Sequence, residues 1–113
     1  MKYLLMVCVE EGRKVSPAEG EAMGRATESW VAEMDGRGVR LQGNRLRPVS
    51  DATTVRVRDN ELLIADGPFA ETKERIAGYD ILECKDLAEA IEVASKHPVA
   101  RFGTIEVRPF WLD

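Results

Sequence analysis

A chain of 113 residues, 44% hydrophobic and 32% charged, has the length and composition of one soluble globular domain spanning residues 1–113. Its net charge is −4, with acids and bases interspersed, and it lacks the basic tract that grips phosphate backbones. Nucleic acid is therefore excluded as an expected partner, and no apolar run approaches a membrane span.

Residues 2–9 form an apolar run that reads as a strand. Tyr3, Leu5, Val7 and Val9 fall on one face, and Leu4, Met6 and Cys8 on the other. Apolar on both faces, it reads as a central strand that needs cover on both sides. The run is too short for a secretory leader, Glu10 and Glu11 follow at once, and no small-residue cleavage site appears, so a cytoplasmic location is expected.

Ser16-Pro17-Ala18-Glu19 is a capping box with proline at the first helical position. Met23, Ala26, Trp30 and Met34 then recur at helical spacing, and Gly36 and Gly38 stop the helix near residue 37. This stripe is expected to be core. Residues 39–46 alternate as a second strand, with Val39 and Leu41 opposite Arg40 and Gln42. Residues 53–58 and 61–65 flank Asp59-Asn60, a hairpin signal. Arg45, Arg47, Arg56 and Arg58 read as one solvated face.

Residues 78–84 form another mostly apolar strand. Asp86-Leu87-Ala88-Glu89 is a second capping box, and Leu87, Ala90, Ile91 and Ala94 make the stripe of a short helix ending at His97-Pro98. In that last turn a protonated His97 would favour the helix dipole. Residues 104–110 close the fold as a strand, Ile105 and Val107 facing one way and Thr104, Glu106 and Arg108 the other.

The order predicts an α+β fold, a ferredoxin-like βαβ(ββ)βαβ antiparallel sheet with two helices on one face. Two helices of this length cover one face of four strands. The uncovered apolar face then calls for a second subunit, sheet against sheet, and a homodimer is expected.

Cys8 and Cys84 are too few and too far apart for a metal motif or a disulfide framework, and no basic cluster is present to activate a thiol. One histidine supplies no ligand set, so no metal and no cofactor are expected.

The most informative segment is Asp66-Gly67-Pro68-Phe69-Ala70-Glu71-Thr72-Lys73-Glu74. Pro68 locks φ and Gly67 opens conformations closed to other residues, so the turn presents a carboxylate in a fixed direction. Asp66 is the candidate acid, base or polar anchor; its other reading is a turn former that accepts backbone hydrogen bonds. Phe69 is its aromatic neighbour at the candidate site. Glu106 and Arg108 share the polar face of the closing strand, either lining a pocket for a small polar or anionic ligand or pairing at the rim of a subunit interface.

These nine residues match the signature of the DGPF family within the YCII-related superfamily. The chain is similar to that family over nearly its whole length. The likeness includes the opening Met1-Lys2-Tyr3 strand, Ala52-Thr53-Thr54-Val55-Arg56, Gly78-Tyr79, and Gly103-Thr104-Ile105-Glu106-Val107-Arg108-Pro109. The resemblance implies a dimeric α/β barrel, with unassigned chemistry for most members. It also implies an alternative role, a non-catalytic regulatory or interaction protein associated with extracytoplasmic-function sigma factors. The chain departs from the pattern at Gly43-Asn44-Arg45-Leu46, where the family has Gly-Glu-Gly-Leu. It also has no histidine on the first helix, so the histidine–aspartate dyad of enzyme-like relatives does not carry over.

Overall fold

The computed structural model describes residues 1–70 and 72–111. Glu71, within the signature, lies outside the described residues. The elements are β1 (Lys2–Glu10), α1 (Pro17–Gly36), β2 (Arg40–Arg45), β3 (Thr53–Arg58), β4 (Glu61–Asp66), β5 (Glu74–Glu83), α2 (Leu87–Ser95) and β6 (Thr104–Pro109). Single 3-10 turns stand at Val49–Asp51 and Pro98–Arg101. One sheet runs β2-β5-β1-β6, antiparallel at every neighbour. This is the split βαβ topology expected from the sequence, with β1 and β5 at the centre. The hairpin β3–β4 forms a separate two-stranded sheet.

Both helices begin as their capping residues dictate. Ser16 Oγ accepts from the Glu19 amide at 3.1 Å, and Asp86 Oδ1 accepts from the Glu89 amide at 2.9 Å. Each side chain thus satisfies an amide that has no partner inside its helix. The core that the helices close against the sheet contains Tyr3, Leu5, Leu82, Trp30, Met34 and Val93. The Trp30 indole N–H donates to the Val93 carbonyl at 3.0 Å, tying α1 to α2. An aromatic body in the core with its polar tip satisfied is the favourable way to bury tryptophan.

Several expectations are corrected in detail. In α1 the buried stripe is Trp30 and Met34 with Met23 and Val31 half-buried, while Ala26 is exposed. In α2 the inward residues are Ala90, Val93 and Ala94, whereas Leu87 and Ile91 face out. A nine-residue helix can offer only one narrow stripe to the sheet, and Val93 takes the place assigned to Ile91. In β2 the alternation breaks at a register shift between Arg40 and Gln42. Val39 is buried and Leu41 exposed. β5 begins four residues earlier than expected, because a second shift, at Val7/Cys8, lets β1 continue pairing through Arg75 and Glu74.

His97 is also corrected. α2 ends at Ser95, and His97 instead caps the following 3-10 turn, its Nδ1 accepting from the Val99 amide at 3.1 Å. The ring packs edge-on against Trp30, with centroids 4.7 Å apart. Burial holds its pKa down at about 4, so it is a neutral core residue, not a cation serving a helix dipole.

The register divides the sheet cleanly. Tyr3, Leu5 and Val7 face the helices with Leu82 and Asp80, and on the opposite face Leu4, Met6 and Cys8 stand beside Ile81, Tyr79 and Ile76. The polar side chains Thr104, Glu106 and Arg108 flank that second face. Both helices pack on the first, so the second, apolar at Leu4, Met6 and Cys8, has no helix over it.

Candidate functional site

The hairpin stands on a foot that its own residues build. Asp59 and Asn60 both take positive φ, 51° and 63°, which makes the tight turn at the tip. At the other end, the Gly67 amide donates to the Ala52 carbonyl at 2.7 Å and Thr54 Oγ1 donates to the Gly67 carbonyl at 2.8 Å. Gly67 has φ 90°, a conformation that side chains disfavour. Gly67 and Thr54 therefore shape the Gly-Pro bend. Among the described residues the Asp66 carboxylate receives no hydrogen bond and forms no ion pair, so it is not what holds the bend.

A cleft of about 560 Å³ opens at this foot, lined by Glu11, Val49, Ser50, Pro68, Thr72 and Arg75. Four separate segments meet here: the end of β1, the 3-10 turn before β3, the bend after β4 and the start of β5. Arg75 is the fixed point. Its guanidinium donates through Nε to the Glu11 carboxylate and through Nη1 to the Ala70 carbonyl, with Thr72 Oγ1 at 3.3 Å. Among the described residues its Nη2 has no partner. The side chain is only 13% exposed, so a planar cation with a spare donor edge is held on a polar, partly desolvated wall. The Ser50 and Thr72 hydroxyls lie on the same wall.

The sequence candidates fall in three places. Pro68, from the signature, lines the cleft; Asp66 and Phe69 belong to the same turn, but both are exposed and neither is a lining residue. Glu106 and Arg108 lie elsewhere, on the open sheet face, paired with each other at 2.5 Å. The sequence reading missed Arg75, Glu11, Ser50 and Thr72. Thr72 lies inside the signature and Arg75 directly follows it, and those positions were the signals available.

A buried ion pair on the helix side was missed as well. Arg40 Nε meets Asp80 Oδ1 at 2.8 Å, and Arg40 Nη1 reaches Asp35 at 3.2 Å. Burial raises the Asp80 pKa, against the pull of Arg40. A Cβ on Gly43 would sit 2.0 Å from Asp80 Oδ1 and 2.7 Å from the Tyr79 carbonyl oxygen. Glycine there lets the β2 backbone seal the pair, which makes it structural. Burial pushes the pKa of Cys8 and of Cys84 up, which disfavours the reactive thiolate at both. Among the described residues no three histidine, cysteine, aspartate or glutamate side chains converge to hold a metal ion. No helix among them is long and apolar enough to cross a membrane.

The YCII-related domain model matches residues 1–112. An uncharacterized protein of Rhizobium meliloti (strain 1021) is 41% identical over 70 residues, which are 60% of this chain and 56% of the relative. The match thus spans little more than half the length of that curated relative.

Proposed function

This chain belongs to the YCII-related domain family, and from that premise we propose that it binds a small polar or anionic molecule in the cleft beside the Asp66-Gly67-Pro68-Phe69 turn. The observation that carries this reading is Arg75, pinned by Glu11, Ala70 and Thr72 with Nη2 turned to no partner among the described residues. A positioned guanidinium with a free edge matches a carboxylate or phosphate oxygen, and Ser50 lines the cleft with a hydroxyl that can donate beside it. Asp66 serves in this reading as a nearby acid, base or polar anchor, with Phe69 as its aromatic neighbour. Glu106 and Arg108 form a second candidate surface, on the open face of the sheet.

The assembly that accompanies this reading is a cytoplasmic homodimer with the open faces apposed. Leu4, Met6, Tyr79 and Ile81 support it, because they form a half-exposed apolar strip that neither helix covers. The second reading, a non-catalytic partner of an extracytoplasmic-function sigma factor, draws support from the apolar surface of the exposed hairpin.

The test is thermal shift against a set of small carboxylates and phosphates. A true ligand at 100 times its Kd adds about 2.7 kcal/mol of stability. Arg75→Lys, which keeps the charge but loses the planar fork, should weaken that ligand at least about tenfold, while Arg108→Gln leaves it unchanged. The opposite pattern would move the site to the sheet face. No stabilisation by any member of the set would remove the ligand reading and leave the interaction reading.

A further inference from the structure

The charged groups on the lining of the cleft are the Arg75 guanidinium and the Glu11 carboxylate, one cation and one anion. Their ion pair is built on the sheet, because the Glu11 amide donates to the Lys73 carbonyl at 2.9 Å and so continues the pairing of Glu10 with Glu74. Nε of Arg75 donates to Oε2 of Glu11. Nε and Nη2 share one edge of the planar guanidinium, so an oxygen bound at Nη2 lies directly beside the Glu11 carboxylate. Among the described residues neither Nη2 of Arg75 nor Oε1 of Glu11 has a hydrogen-bond partner. A donor and an anionic acceptor therefore stand side by side. The Thr72 hydroxyl is already spent, donating to the Glu74 carbonyl at 2.5 Å. Flanking cations are committed as well: Lys73 faces Glu10 at 3.9 Å and Arg47 faces Asp51 at 2.9 Å.

We infer that the ligand of this cleft is a zwitterion with an ammonium on the carbon next to its carboxylate, which is an α-amino acid. This rests on the ligand-binding reading above and narrows it to one chemical class. The carboxylate takes Nη2 of Arg75 and the ammonium takes Oε1 of Glu11. Each ligand charge then meets its opposite, and the filled site stays neutral. A phosphate dianion or a plain carboxylate instead sets negative charge against Glu11 with nothing to offset it, and like charges in such contact select against a partner. Val49 and Pro68, the apolar part of the lining, receive the ligand's side chain, with Ser50 between polar and apolar walls. At about 560 Å³ the cleft has room for a bulky one.

The test is an amide NMR titration of the wild type and of Glu11→Gln with matched probes: phenylglycine, mandelate, phenylacetate and phenyl phosphate. All carry the same ring and differ in the charged end, and the Glu11, Ser50 and Arg75 amides report binding at the cleft. Phenylglycine should bind the wild type at least about tenfold more tightly than phenylacetate or phenyl phosphate. Glu11→Gln keeps an oxygen for Arg75 Nε but removes the charge. It should weaken phenylglycine at least about tenfold and leave phenylacetate as tight as before or tighter. Phenylacetate or phenyl phosphate binding as tightly as phenylglycine, or phenylglycine indifferent to Glu11→Gln, overturns the zwitterion and leaves the anion site standing. Mandelate matching phenylglycine overturns the ammonium as the recognised group. If no probe moves those amides, the cleft as a binding site falls, and the zwitterion falls with it.

Discussion

β1 and β4 are both written largely in apolar residues, yet Leu5 of β1 is fully buried while Ile64 of β4 is 64% exposed. β1 lies at the centre of a four-stranded sheet beneath two helices, and β4 pairs only with β3 in a hairpin clear of the body. Strand character is therefore a local property, whereas burial depends on what the chain brings back from far away in sequence. The same contrast separates two arginines. Arg40 is sealed against Asp80 under the β2 backbone and is part of the framework. Arg75 is held just as firmly, but at the mouth of a cleft. Firm anchoring at an open site is what recommends Arg75 for binding.

The sharpest break in this comparison is at Trp30. Trp30→Ala empties the centre of the body and removes the indole hydrogen bond to the Val93 carbonyl, and should cost about 3–5 kcal/mol in chemical denaturation. A loss below about 1 kcal/mol would mean that the body is no better packed than the hairpin.

Next comes pH. His97 is buried neutral with a pKa of about 4, whereas the unfolded chain has the ordinary value near 6.5. Between these values the unfolded state binds more protons, so stability rises with pH through that window and levels off above it. Acidification from about pH 7 to 4 should cost up to about 3 kcal/mol from this group alone. In His97→Gln this component of the pH slope should disappear, measured by denaturation midpoints across the range. An unchanged slope would assign the acid sensitivity to the carboxylates.

Gly43→Ala tests how tightly β2 closes over the Arg40–Asp80 pair. The added methyl group meets the carboxylate and a backbone carbonyl oxygen, so a cost of about 1–3 kcal/mol is expected. Gly20→Ala, where an added Cβ meets nothing within 4 Å in an exposed helical turn, should instead stabilise by about 0.4–1 kcal/mol.

The smallest effect belongs to the foot of the hairpin. Asp66→Asn removes a charge that holds no partner among the described residues, and the bend is kept by Gly67 and Thr54. Its stability cost should stay within about 0.5 kcal/mol. A larger loss, read from the thermal midpoint, would show that the carboxylate supports the turn after all.

Much of the body was legible in the sequence because its signals are local. Capping boxes at Ser16 and Asp86, the Asp59-Asn60 turn, and strands of the right length in the right order suffice to define the split βαβ topology. The errors arose where two nearby signals compete. Leu87 and Ile91 fit a helical stripe as well as Val93 does, and the choice belongs to the sheet surface beneath. The breaks in β2 and β1 leave no mark in composition, because a register shift is a choice of partner and not of residue.

The candidate site was legible only in part. The signature turn marked the place, since Gly67 needs a backbone conformation that few residues adopt and Pro68 fixes the next one. By itself the sequence determined the elements, their order, the family likeness and that turn, all set by interactions a few residues long. Tertiary structure alone decided that Glu11, Ser50, Thr72 and Arg75 share one cleft, that His97 is a buried neutral ring, and that the hairpin stands uncovered. Each of those depends on which distant segments meet, and long-range packing, unlike a cap or a turn, is not written at any one position of the chain.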